Sequence, residues 1–131
     1  MTYIVLTKEE AVIAQIEGAM NAYMQKDYAC AITLAAAAEG ATPEPSRKTL
    51  FHDLRDIDAK QYGWSAKYSA DRLNDERNWL KHFDLNQPIS MSLETSFAYI
   101  HRALDRFTAV YGRHHWTDRM QRFNGYDDGG A

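Results

Sequence analysis

Arg77-Asn78-Trp79-Leu80-Lys81-His82 lies within a segment, Trp64 to Gln87, that contains neither glycine nor proline. With no helix breaker across it, the segment predicts one long helix from about Ser65 to Phe83, stopped by Asn86-Gln87-Pro88. At about 100° per residue, Leu73, Glu76, Leu80 and Phe83 share one side, with Trp79 on one shoulder and Arg77 on the other. Asn78 and His82 are four apart and stack on the opposite side, next to Asp75. The wheel therefore expects Leu73, Leu80 and Phe83 to be buried, Trp79 to belong to the core, and Asn78 and His82 to face outward.

The rest of the chain reads as helices that pack against this one. Thr7 and Glu10 form a capping box that opens a helix to about Lys26. Val12, Ile13, Ile16, Ala19, Met20, Tyr23 and Met24 give it a broad apolar stripe. Asp27 can cap a second helix, Tyr28 to Glu39, whose many alanines around Ile32 and Leu34 suit a buried central position or a tight helix-helix seam. Gly40 is expected to end it with positive φ. Thr42-Pro43-Glu44-Pro45 reads as a loop, and Ser46 as the cap of a third helix from Arg47 to about Gln61, interrupted by Gly63. A further helix runs from Ser90 or Ser92 to Tyr111, with Leu93, Phe97, Ile100, Leu104, Phe107 and Tyr111 on one side, and Gly112 ends it. Thr117-Asp118 starts a last short helix to Phe123, and residues 125–131 read as a loose tail.

No period-two alternation of four or more residues occurs beyond Tyr3 to Leu6, so no strand competes. The expectation is an all-α bundle of four main helices plus one or two shorter ones, a single domain over residues 1–124. The chain has 131 residues, 45% hydrophobic and 25% charged, enough for one core. Its net charge of −3 excludes a protein that works by unspecific phosphate attraction, so any RNA contact has to be local. No feature points to recognition of a DNA sequence. Cys30 is the one cysteine and sits in an Ala-rich run, which reads as a buried inert thiol in a reducing compartment. Met1 to Leu6 is too short for a signal peptide, and the least polar run, Ala29 to Ala38, falls short of the about 20 residues of a membrane span. A soluble cytoplasmic protein is the expectation.

Arg77, Asn78 and His82 supply the chemistry most specific to one reaction. RNA cleavage without metal needs a group that takes the 2′-OH proton, a group that protonates the leaving 5′-oxygen, and a cation on the phosphoryl oxygens. Histidine can serve as acid or base near neutral pH. Arginine offers a forked, permanently charged donor that suits phosphate. Asparagine can orient either without adding charge. Arg77 is offset from His82 by about 140° on an ideal helix, so the two meet over one substrate only if Arg77 reaches around or a second subunit supplies the other half.

The hexapeptide resembles the Arg-polar-x-x-x-His signature of HEPN domains, small helical bundles that often cleave RNA. The wider frame is Ala-Ala-Ala-Glu-Gly at a helix end, then Leu-Asn-x-x-Arg-Asn-x-Leu-Lys-His. It also looks like a group of small bacterial proteins without an assigned activity. The resemblance implies an up-and-down bundle that dimerises so that two motifs face one cleft. It further implies a metal-independent endoribonuclease giving 2′,3′-cyclic phosphate ends, with Arg77, Asn78 and His82 at the motif positions. HEPN-like bundles include silent members too, so the alternative is a binding module for a partner protein or a nucleotide ligand. Against both stands the plain reading of Arg77 and His82 as ordinary polar residues of an amphipathic helix.

Other pairings carry less. His114-His115 beside Trp116 and Asp118 lacks the ligand spacing of a zinc site. His52 with Asp56 and His101 with Asp105, each four apart, read as solvated pairs before metal ligands. There is no Gly-rich phosphate loop and no Ser-centred nucleophile motif, and no cofactor or metal is expected. Glu39 is out of place at a helix C-terminus, where the dipole disfavours an acid. A partner such as Arg77 would resolve that, and exposure to solvent is the other answer.

Overall fold

The computed structural model describes residues 1–82 and 84–127, and for residues 126 and 127 the backbone alone. Among the described residues every regular element is helical: α1 Lys8–Met24, α2 Tyr28–Ala41, α3 Leu50–Tyr62, α4 Ala66–Leu73, α5 Asp75–Lys81, α6 Leu93–Tyr111 and α7 Asp118–Asp127. A single 3-10 turn, Arg113–His115, joins the last two. Among the described residues no helix is long and apolar enough to cross a membrane.

The core belongs to α1, α2, α6 and α7. The Thr7–Glu10 capping box starts α1, with Thr7 Oγ1 accepting from the Glu10 amide at 3.1 Å and Glu10 accepting from the Thr7 amide at 3.0 Å. Val12, Ile16, Ala19 and Met20 then recur at helical spacing and are shut from solvent. Lys26, with φ of 63°, reverses the chain, and Asp27 caps α2 through the Cys30 amide at 3.2 Å. The resulting antiparallel hairpin is close: a Cβ on Gly18 would come within 3.1 Å of Leu34 Cδ1. Ala31, Ile32, Ala35 and Ala38 turn inward from α2 to meet Ile100, Ala103, Leu104 and Phe107 of α6, and Met120 and Phe123 of α7 join them. Small alanines let the backbones approach, as expected for a central helix. The opposite face of α2, with Ala29, Cys30, Thr33 and Ala37, is exposed. Cys30 is thus a surface thiol and not a buried one. It sits in the first turn on the face turned away from α6, which the alanine content of the run did not reveal.

α3, α4 and α5 are attached differently. α3 and α5 bury no residue, and α4 buries Ser69, whose hydroxyl donates to the Arg55 carbonyl at 2.8 Å. Several boundaries in this part correct the sequence expectation. Gly40 does not end α2: the helix continues to Ala41, and Thr42 closes it by donating its hydroxyl to the Ala38 carbonyl at 2.7 Å. Positive φ among the glycines falls on Gly63 and Gly112, the caps of α3 and α6. α3 begins at Leu50 behind Thr49 and not behind Ser46. Two contacts set that start, a tertiary one in which Asp105 of α6 accepts the Leu50 amide at 2.6 Å and pairs with Arg47 at 3.3 Å, and a local one in which His52 Nδ1 takes the Thr49 amide at 3.1 Å. α7 runs on to Asp127 where an end at Phe123 was expected.

The largest correction concerns the organising helix, which breaks at Asn74 into α4 and α5 and leaves His82 beyond its end. In an unbroken helix the Arg77 amide would donate to the Leu73 carbonyl. Here the Tyr99 hydroxyl stands between them, accepting from Arg77 N at 3.2 Å and donating to Leu73 O at 2.9 Å. A side chain inserted into the helical ladder is a recognised cause of a kink. Arg102 completes it, donating to Leu73 O at 2.9 Å and Asn74 Oδ1 at 2.7 Å. As a result Leu73 and Leu80 are half-buried and not fully enclosed. Phe83, also expected to be buried, lies outside the described residues.

Candidate functional site

Arg77 stands in the first turn of α5, just after the break, and its amide is held by the Tyr99 hydroxyl. Its side chain enters the wall of a groove between α2 and α5 of about 400 Å³, lined by Thr33, Ala36, Ala37 and Gly40 on one side and Arg77, Leu80 and Lys81 on the other. The α2 wall is smooth because it consists of small residues, and a Cβ on Gly40 would meet nothing within 4 Å. Arg77 is half-buried there, with Nε closed off from solvent. Among the described residues no acceptor meets that Nε and no carboxylate pairs with the guanidinium. A cation kept partly desolvated without a counter-charge is poised for an anionic oxygen.

The other two residues of the motif lie elsewhere. Asn78 is half-buried, and its carbonyl accepts the His82 amide at 3.1 Å. His82 is exposed, with φ −116° and ψ 108°, already off the helix. Of the three motif residues, Arg77 alone lines the groove. Trp79 was expected in the core and is instead half-buried, its indole Nε1 donating to the Gln87 carbonyl at 2.6 Å. That bond folds the chain after α5 back along the helix.

Sequence reasoning missed the residues that support this geometry. Glu39 does have a cationic partner, and it is Arg102, not Arg77: Nη2 and Nε of Arg102 reach its carboxylate at 2.8 and 3.2 Å. Both are buried, at 7% and 3% exposure, so this pair sits where an unmatched charge could not remain. The Arg102 guanidinium also lies 4.6 Å from the Phe51 ring centre and 4.7 Å from that of Tyr99. One side chain thereby joins α2, α3, the α4–α5 break and α6. The anomalous acid at the end of α2 was a legible sign of such a hub, but nothing local said which arginine would answer it. Tyr99 gave no sign at all. Burial, opposed by the Arg77 amide and the Arg102 charge, pushes its phenol up to about 12.

The remaining sequence candidates serve local structure. His52 caps α3, and Asp56 pairs with Arg55 at 2.9 Å and Lys48 at 3.6 Å. Asp105 is taken by Leu50 and Arg47, while His101 packs beside the rings of Phe97 and Phe123. His115 Nδ1 lies 2.9 Å from Glu9, tying the 3-10 turn to α1. Among the described residues no three His, Cys, Asp or Glu side chains gather where a metal ion could sit. Comparison with family models, with curated proteins and with solved structures gave no match to this chain.

Proposed function

We propose that this chain is a HEPN-like domain that works as a homodimer and cleaves RNA without a metal ion, leaving 2′,3′-cyclic phosphate ends. In this reading α4 and α5 count as one broken helix, the four main helices of an up-and-down bundle are α1, α2, α4–α5 and α6, and α3 and α7 are accessory. Arg77 holds the phosphate, His82 exchanges the proton and Asn78 fixes the orientation between them. The observation that supports it best is the unpaired Arg77 guanidinium on the groove wall, with an exposed imidazole at the end of the same short helix. In this reading the active pair takes Arg77 from one copy and His82 from the other, which suits a His82 that does not line the groove of its own Arg77.

Incubating the purified protein with a mixed RNA pool in the presence of EDTA tests this. Wild type cuts, and Arg77→Ala and His82→Ala each abolish cutting while keeping their helical circular dichroism. Mixing the two inactive variants restores about a quarter of the wild-type rate. Half of randomly exchanged dimers are then mixed, and each holds one intact Arg77–His82 pair. Cleavage that persists in His82→Ala rejects the assignment.

A second reading has its own support. The α2 wall of the groove is apolar, and neither Asn78 nor His82 lines it, which suits a binding module for a partner protein or a nucleotide ligand without catalysis. Arg77-dependent binding of a nucleoside monophosphate, with no cleavage under any condition, selects it.

A further inference from the structure

Among the described residues, the first six carry the most concentrated apolar exposure. Tyr3, Ile4, Val5 and Leu6 are 78%, 79%, 94% and 52% exposed, and Met1 is fully exposed. They are not helical, and among the described residues no hydrogen bond reaches their backbone. An extended apolar segment with unpaired amides and carbonyls is a surface that seeks a complement. The same chain carries one. The α2–α5 groove offers a small-residue floor of Ala36, Ala37 and Gly40, an apolar side chain from Leu80, and two cations, Arg77 and Lys81, on its α5 wall. Apolar side chains can lie on that floor, and the carbonyls of an extended strand can accept from Lys81.

We infer that residues 1–6 form an exchanged arm, seated in the α2–α5 groove of a second copy of this chain. The inference rests on the homodimer of the preceding reading. Two observations select a second copy as occupant. First, the arm leaves Thr7 in an extended conformation and stands off its own body: Tyr3 to Leu6 are exposed, and none of them lines the groove of its own copy. Second, a two-fold pair uses both features of both copies and leaves neither arm nor groove uncovered. Six extended residues span about 20 Å, enough to cross one helix and run along the next. Two such arms, covered by two grooves, would bury on the order of 1,500 Å², the size of a standard specific interface. Seated there, each arm places the Arg77 of one copy at the seam with the other.

Sedimentation at micromolar concentration tests this, comparing the full chain, a chain lacking residues 1–6, and Val5→Asp. The full chain sediments as a dimer, and both variants weaken the dimer about tenfold or more with unchanged helical circular dichroism. A cross-link then tests the seat in a Cys30→Ser background. Val5→Cys on one copy and Ala37→Cys on a differently tagged copy join on oxidation when mixed. A dimer that survives loss of the arm overturns the exchange and leaves the dimer reading standing. A full chain that is monomeric overturns both. A double Val5→Cys, Ala37→Cys chain that closes only on itself also overturns the exchange, because the arm then covers its own groove.

Discussion

α1, α2 and α6 are held together by what they hide, whereas α3, α4 and α5 are held on by what they bond. In the first group Ile16, Ile32, Ile100 and Phe107 lose all contact with solvent, and each fully buried aliphatic or aromatic side chain contributes about 1.5–3 kcal/mol of transfer free energy. In the second group no large side chain is fully buried. Attachment comes from α6 through Asp105 to Leu50, Tyr99 to Leu73 and Arg77, and Arg102 to Leu73, Asn74 and Glu39. A layer of this second kind opens more readily, because directed bonds exchange with water more evenly than apolar surface does. It is also the layer that carries Arg77 and His82. In the proposed reading these two meet RNA, and side chains that meet a ligand need solvent access.

The contrast can be broken at either end. Phe107→Ala removes a core ring and costs about 3–5 kcal/mol, read as a shift of the urea midpoint of the whole molecule. Arg102→Ala costs a similar ~3–5 kcal/mol because it strands Glu39 as an unpaired buried charge. The two variants differ in where the loss appears. Amide spectra of Phe107→Ala should change throughout α1, α2 and α6, while those of Arg102→Ala should change first around Leu73 to Arg77. If Arg102→Ala left the α4–α5 amides as they were, the bonding account of that layer would be wrong.

Tyr99→Phe is smaller, about 1–3 kcal/mol, since it leaves the Arg77 amide without the oxygen inserted at the break. It carries a pH signature as well. The folded phenol titrates at about 12, above its ordinary value of 10, so folding favours the protonated form. The resulting stability is complete below about pH 10 and is lost as pH rises from there toward 12, at about 1.4 kcal/mol per pH unit. Urea midpoints measured across that interval should fall more steeply for wild type than for Tyr99→Phe. Equal slopes would mean that the hydroxyl is not shielded. At the small end, Ile57 of α3 is 58% exposed, and Ile57→Ala should change stability by no more than about 0.5 kcal/mol.

What could be read from the sequence follows the same division. The Thr7–Glu10 box, the stripe of α1 apart from Met24, which is 52% exposed, and the caps Gly63 and Gly112 are local signals that stand where they were expected. The start of α3 and the break at Asn74 were not legible, because their causes come from far along the chain. Asp105 acts on Leu50 across 55 residues, and Tyr99 and Arg102 act on Leu73 across 26 and 29. Periodicity saw one helix from Ser65 to Phe83 because nothing within that stretch forbids one. Arg77 could be singled out by its chemistry, but its groove could not, since the facing wall is supplied by Ala36, Ala37 and Gly40 of a helix that was read as central or as a seam. Cys30 was misplaced for a related reason: composition shows that α2 is apolar, not which of its faces is left open.

Native-state hydrogen exchange tests the two-layer account most directly, since it gives an opening free energy for each amide in one experiment. The account predicts that the amides of Asn78 and His82, bonded to Asn74 and Asn78, exchange through an opening several kcal/mol below the global unfolding free energy. Amides in the middle of α1 and α6 should open only with global unfolding. Equal protection of α5 and α6 would contradict it, and would show that the polar attachments of Tyr99 and Arg102 bind the outer helices as firmly as the apolar core binds its own.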